Sequence, residues 1–366
     1  MTTPNNPPVV VDIHTHMYPP FYIHLLQSRT TIPSSVPLLS SPPSPDHLPG
    51  RPLTKSYTSL PAKISFMNTH NITTSVLSLA NPWLDFLPPS TAGQTSLQIN
   101  ADFQSMCSSS QANNRLYFFA CLPLSAPLPT ILDTITYLTT LPHCRGVIMG
   151  TSGLGSGLDD TNLLPVLKQL AEDNLPIFLH PHYGLPNEVF GERATKGEYG
   201  HVLPLALGFP METTIAVTRM FLAGVFDAVP ELKMILAHSG GTLPFLAGRI
   251  ESCLRHDGYL FKKDREEGKG RRGIWEVLKS QIYLDAVVYS EVGLKAAIEA
   301  SGEGGVERLM FGTDHPFFPP LEEGEEQWGS VTVNKEAVDK ALGEGSKEAE
   351  LVMGGNAVRV LRLYEE

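Results

Sequence analysis

The sequence predicts an α/β fold, a (β/α)8 TIM-type barrel with lid insertions after strands 1 and 5, and three observations predict it. Eight short apolar or β-branched runs recur along the chain, segments of helical spacing separate them, and four of the runs end in histidine or aspartate. Alternating strands and helices call for a parallel sheet covered by helices, and eight repeats suit a closed barrel better than an open sheet. At 366 residues the chain is long enough for one such barrel with insertions. Residues 9–366 are therefore read as a single domain behind a poorly ordered start, residues 1–8.

Taken in order, the expected strands are 9–16, 75–80, 116–124, 145–150, 176–182, 233–240, 282–289 and 308–316. Most are continuous apolar runs rather than alternating ones, as strands buried on both faces must be. Between them, helical spacing shows in Leu163, Leu164, Leu167, Leu170 and Ala171, and again in Leu351, Val352, Val358, Leu361 and Leu363. Residues 211–226 carry only Glu212 and Arg219 as charges, which suits a deeply packed helix or one at a subunit interface. The insertion 29–59 is dense in Pro and Ser, and 183–210 holds several Gly and Pro. Each follows a strand end, so both are expected to rise from the catalytic rim as lids. The charged stretch 255–272 mixes its basic residues with Asp257, Asp264, Glu266 and Glu267 and reads as a solvated excursion.

Composition narrows the partners. Asp and Glu number 38 against 27 Lys and Arg, so no basic stripe is available for a nucleic-acid backbone. A small anionic substrate would have to be held by local devices, a metal or a few arginines, against an unfavourable overall field. Cys107, Cys121, Cys144 and Cys253 lack paired short spacings, which suggests buried free thiols in a reducing compartment. Residues 1–8 lack a basic start and an apolar stretch, and no run approaches the ~20 residues of a membrane span; a cytoplasmic location is expected. The acceptor pattern Asn71-Ile72-Thr73 is then expected to stay unmodified.

The chemistry lies at the strand ends. Alternate residues of a strand point the same way, so His14 and His16 of Asp12-Ile13-His14-Thr15-His16 emerge together, where two imidazoles can share one cation. The fifth run ends Phe178-Leu179-His180-Pro181-His182, the sixth Leu236-Ala237-His238-Ser239-Gly240-Gly241, and the eighth Phe311-Gly312-Thr313-Asp314-His315-Pro316. A single such histidine is usually structural, but four strand ends on one rim point to a site. Imidazoles with one carboxylate suit Zn²⁺, with Mn²⁺, Co²⁺ or Fe²⁺ left open. The fourth run ends Val147-Ile148-Met149-Gly150, without a lysine to bridge a second ion, so one metal per chain is expected. His182 is expected to line the pocket or orient a neighbour, His315 to turn away, and Asp285 to stand behind a ligand. The glycine-rich run 151–157 lacks the lysine of a phosphate loop, and no G-x-S-x-G elbow is present.

His14-x-His16, His180-Pro181, His238-x-Gly240-Gly241 and Gly312-Thr313-Asp314, in this order, resemble the amidohydrolase superfamily. The resemblance is to its non-oxidative decarboxylases, the branch of aminocarboxymuconate-semialdehyde and γ-resorcylate decarboxylases. Residues 11–20, 180–188 and 312–318 are similar to the fungal uracil-5-carboxylate (iso-orotate) decarboxylases of thymidine salvage. That resemblance implies a zinc enzyme releasing CO₂ from a small anionic ring acid, with His14, His16, His180 and Asp314 as ligands. It makes His238 a catalytic histidine and Arg51, Asn81, Arg249 and Phe317 substrate contacts, in a homodimer. A guanidinium suits a carboxylate, the Asn81 amide suits a ring carbonyl and N–H, and Phe317 suits stacking on a flat ring. Asp314 is expected to deliver a proton to the ring, with His238 organising it. The alternatives are a decarboxylase of another aromatic or muconate-type acid, or a metal-dependent lactone or cyclic-amide hydrolase.

Overall fold

The computed structural model describes residues 8–27, 54–266, 270–322 and 324–365. The eight expected runs all form strands: β1 Val11–His16, β2 Thr74–Ser78, β3 Leu116–Cys121, β4 Cys144–Gly150, β5 Ile177–His180, β6 Met234–Leu236, β7 Ile282–Asp285 and β8 Leu309–Met310. They form one sheet in sequential order, each paired parallel with the next. The helices that return the chain are α1 Leu60–Thr69, α2 Pro89–Cys107, α3 Leu128–Leu138, α4 Leu164–Glu172, α5 Phe209–Leu222, α6 Leu243–His256, α7 Glu291–Ala300 and α8 Gly329–Leu342. The result is a nearly closed TIM-type barrel.

Both faces of the strands are covered, which explains their unbroken apolar runs: β1, β2, β3, β5, β6, β7 and β8 are buried at every position. The strands end earlier than the apolar runs do. β6 stops at Leu236 and β8 at Met310, so His238 and Asp314 stand on the loops that follow. Closure between β8 and β1 is correspondingly spare. It rests on Ile13 N–H donating to the Phe311 carbonyl (3.1 Å), Asp314 N–H to His14 (2.8 Å) and His16 N–H to His315 (2.7 Å).

Of the insertion 29–59, the described part begins at Thr54 and holds the short helix Lys55–Thr58, where Tyr57 stacks on Tyr18 at 5.3 Å. Residues 1–7 and Arg51 lie outside the described residues. The insertion 183–210 carries short helical turns at Asn187–Phe190, Glu192–Thr195 and Pro204–Gly208. In the apolar stretch 211–226, α5 turns Ala216, Val217, Met220 and Phe221 into the core and ends before Gly224, whose left-handed backbone (φ 75°) suits glycine. Cys107, Cys121 and Cys144 are buried free thiols, but Cys253 is exposed on α6, contrary to expectation, because it falls on the outer side of that helix. Among the described residues, no helix is long and apolar enough to cross a membrane.

Phe178 of β5 is fully buried beneath the catalytic rim, its ring 5.2 Å from Phe119 and 5.0 Å from His14. Phe178→Ala is expected to lower stability by about 3–5 kcal/mol, since it opens a cavity in a close-packed layer. Shifts in the urea midpoint at unchanged slope check this.

Candidate metal centre

Four strand ends converge. Donor atoms of His14, His180, His238 and Asp314 all lie within 4.8 Å of one another. His16 joins them, its ring centroid 5.2 Å from that of His14 and 5.1 Å from that of His180. Asp314 sits centrally: its Oδ1 is 3.3 Å from His14 Nε2 and 3.6 Å from His16 Nε2, and its Oδ2 is 3.7 Å from His238 Nε2. Four imidazoles thus surround one carboxylate, and three of them with that carboxylate make a metal site.

The outer nitrogens separate the histidines. His14 Nδ1–H donates to Asp285 Oδ2 at 2.6 Å, and His180 Nδ1–H to the Pro181 carbonyl at 2.8 Å. His16 Nδ1–H donates to Ser78 Oγ at 3.1 Å, because that hydroxyl already gives its own proton to the Thr15 carbonyl. All three rings therefore direct Nε2 inward, the arrangement that fixes tautomer and orientation around a cation. His238 differs: its Nδ1 is buried without a partner, and its side chain is 17% exposed where those of His14 and His16 are fully buried. The residues fit a divalent cation on their own geometry. The inward Nε2 of the neutral His16 ring is buried without a hydrogen-bond partner, and such an orphaned acceptor calls for an ion.

Several of these residues occupy unusual backbone conformations. His238 (φ 54°), Ser239 (φ 51°) and Asp314 (φ 55°) are left-handed without being glycine, and such strain survives only where neighbours over-determine it. The Asp285 carboxylate accepts from the N–H groups of His238 (3.0 Å), Ser239 (2.8 Å) and Val287 (3.1 Å). On the other side, His14 presents its carbonyl to Asp314 N–H, and Gly312 permits that approach: a Cβ there would lie 2.7 Å from His14 Cβ.

Burial and charge set the proton affinities. Burial depresses His14, but the Asp314 charge and the contacts with Asp285 and Asp314 outweigh it and lift the ring to about 10. Burial pulls His16 down to about 4, and burial with the neighbouring imidazoles pulls His180 well below the usual range. Burial pushes Asp314 up, yet the His14 charge and the surrounding imidazoles hold it well below an ordinary carboxylate.

The remaining expected site residues fall around this centre unevenly. Asn81 is buried and its amide donates to the His182 carbonyl; His182 Nε2 lies 2.8 Å from Asp85, so this histidine ties the loops after β2 and β5 together. Phe317 is half-buried, and its N–H donates to the Asp314 carbonyl at 2.8 Å. Arg249 is exposed on α6 and lines a groove of about 350 Å³ with Leu222, Leu246, Ile250 and Leu254, none of them a cluster residue. His315 turns toward Phe66, ring centroids 3.7 Å apart. Sequence reasoning missed Trp83, which stands edge-on to His180 (6.1 Å) and His182 (5.0 Å). Its only signal was its place two residues beyond Asn81.

A family model described as amidohydrolase matches residues 11–363. The chain belongs to the amidohydrolase family. A crystal structure of Metarhizium anisopliae IDCase in apo form is 59% identical, with a TM-score of 0.90 and 98% of each chain covered. The 2-amino-3-carboxymuconate-6-semialdehyde decarboxylase of Dictyostelium discoideum is 31% identical over 218 residues, 60% of this chain and 53% of that protein. A dihydroxybenzoic acid decarboxylase from Polaromonas, solved with bound manganese and 2-nitroresorcinol, shares the fold at 19% identity, with a TM-score of 0.69 and 98% of each chain covered.

Two outcomes follow for metal binding. Asp285→Asn weakens the hold on the His14 tautomer, so metal affinity should fall by roughly 10–100-fold; chelator competition on the folded variant measures it. In the metal-free protein His14 carries a proton up to about pH 10, and only the neutral ring can bind a cation. Metal affinity should therefore rise with pH, by up to roughly tenfold per unit between pH 6 and 9, with about one proton released per ion bound. Titration in buffers of different ionisation heat counts that proton.

Proposed function

We propose that the chain is a metal-dependent decarboxylase converting uracil-5-carboxylate (iso-orotate) to uracil and CO₂. The carrying observation is the full-length match, at 59% identity, to a protein described as an IDCase, joined to a His/His/His/Asp centre at the rim of the same fold. We assign His14, His16, His180 and Asp314 as the ligands. The three anchored Nδ1 atoms support choosing His16 over His238, because a ligand imidazole is normally held from its far side. The unanchored, partly exposed His238 is then free to act on substrate. Zn²⁺ suits this donor set, and the manganese of the Polaromonas protein makes Mn²⁺ the competing ion.

A bound divalent cation supplies a Lewis acid that neutralises the acid's oxygens and holds them in place. The protein's part is proton delivery. Decarboxylation leaves an electron pair on ring carbon unless that carbon is protonated, and we assign Asp314 as the carboxyl that protonates it; His238 Nε2, 3.7 Å from its Oδ2, supports that role. In the free protein Asp314 binds a proton weakly, held down by the His14 charge. An arriving anion raises its proton affinity by like-charge repulsion, so that Asp314 takes up a proton from solvent and passes it to ring carbon. Once the ring carbon has gained the proton, the bond to the carboxylate breaks, CO₂ departs, and the electron pair restores ring conjugation. Asn81, Phe317, Arg51 and Arg249 are the proposed contacts for the ring and its acid. Motif resemblance, rather than a contact within this chain, supports the two arginines.

Metal-loaded protein given uracil-5-carboxylate should yield uracil and CO₂ in equal amounts, without oxygen from labelled water entering the pyrimidine. Asp314→Asn should lower turnover by roughly 10²–10⁴-fold, the usual worth of a positioned acid, in protein that still holds metal. Wild-type rates in that variant would remove Asp314 from the proton role; a ring-opened product carrying solvent oxygen would mark a hydrolase instead.

A homodimer is the proposed assembly. Its support is the apolar surface on α5 and α6, where Phe245 is 85% exposed beside the groove that Arg249 lines. Sedimentation should give twice the 40.0 kDa chain mass, and Phe245→Glu should shift it to the monomer.

A further inference from the structure

Behind the metal centre, on the side away from the barrel interior, lies a lysine that the chemistry above does not use. Lys63 of α1 is 0% exposed. A buried ammonium is costly unless its protons are taken up, so its partners are informative. Nζ donates to Thr15 Oγ1 at 2.6 Å and to His315 Nδ1 at 2.6 Å; burial pulls the amine down to about 7, and the Asp12 charge works against that in favour of the ammonium. Both acceptors are direct chain neighbours of assigned ligands. Thr15 stands between His14 and His16, and its side chain leaves the opposite face of β1; His315 follows Asp314.

The three groups form a closed ring of contacts. Thr15 Oγ1–H donates to the His315 carbonyl at 3.2 Å, and the same carbonyl accepts from His16 N–H at 2.7 Å. His315 is buried against Phe66, stacked at 3.7 Å, and against the tilted ring of Trp328 at 4.4 Å. Thr15 and His315 form the one isolated bridge joining β1 to the segment after β8 among the described residues, at the seam where β8 is only two residues long. Backbone bonds such as Asp314 N–H to the His14 carbonyl (2.8 Å) hold the two segments in register, and the Lys63, Thr15 and His315 side chains brace that short seam from behind.

We infer that Lys63 is a positioning residue for the metal centre, locking the Thr15–His315 seam and so setting the spacing of His14 and His16 on β1 from Asp314 beyond β8. This rests on the assignment of those three residues as ligands. Lys63 touches no ligand itself; removing it leaves the donor atoms and the backbone bonds between the two segments in place but loosens the Thr15–His315 contact that braces their spacing.

The experiment measures Zn²⁺ affinity of the metal-free full-length protein by competition with a chromophoric chelator, without substrate. Lys63→Met, close in length and unable to donate, should bind Zn²⁺ at least about tenfold more weakly than wild type, the lower end for outer-shell partners of metal sites. Thr15→Val should lose affinity likewise, and Thr15→Ser, which keeps the hydroxyl, should regain most of what Thr15→Val loses. A folded Lys63→Met that binds within twofold of wild type overturns the inference. If Lys63→Met does not fold, equal affinities for Thr15→Val and Thr15→Ser overturn it instead. A wild-type chain that binds no Zn²⁺ sinks the metal assignment and this inference together, whereas a wild type that binds and variants that match it sink this inference alone. Failure of the protein to decarboxylate uracil-5-carboxylate bears on neither result.

Discussion

The buried carboxylate of Asp285, at the end of β7, is the junction on which the centre depends. It accepts from the His14 ring and from three backbone N–H groups, while its own carbonyl accepts from Ser239 Oγ at 2.6 Å. One side chain thereby orients an imidazole on β1 and holds the strained turn after β6 that presents His238. A fully buried carboxylate is tolerable because each donor offsets part of its desolvation, and the cost of losing any one donor makes the arrangement rigid. Rigidity is what a metal site needs, since affinity depends on donor atoms being held at their places before the ion arrives.

The same logic repeats on the other flank. Asp12 accepts from Thr313 Oγ1 (2.8 Å) and N–H (3.0 Å), so the turn bearing Asp314 is moored to the strand bearing His14 and His16. The barrel is nearly closed by its ladders, and polar side chains complete the closure at the rim where the chemistry lies. Strain, burial of charge and short strands therefore coincide at one end of the molecule, while the rest of the core is apolar and regular. With a net charge of −11 the chain as a whole repels anions, and a cation held by the rim residues would offset this locally.

Much of this was legible in the chain. The eight strands could be found because burial on both faces demands unbroken apolar runs, and the cluster because histidine and aspartate recur at the ends of those runs. The runs overstate the strands at β6 and β8, where apolar and glycine residues continue past the last ladder bond into the loop. The exposed Cys253 and the groove position of Arg249 were not legible, because spacing places a residue on a helix without saying which face meets the core. Lys63 gave no signal: a lone lysine in a helix reads as a solvated one, and only its seat against the β1–β8 seam makes it buried.

By itself, then, the sequence determined the architecture and the set of chemical groups at the rim, since both follow from local pattern: hydrophobic runs of strand length, helical spacing, and ligand-type residues at run ends. The tertiary structure alone decided which nitrogen of each histidine faces inward, which carboxylates stand behind them, and what clasps β1 to β8. Apart from His180, whose ring is held by the neighbouring Pro181 carbonyl, those choices depend on groups 46 to 301 residues apart along the chain, and only the closing of the barrel brings them within hydrogen-bond reach.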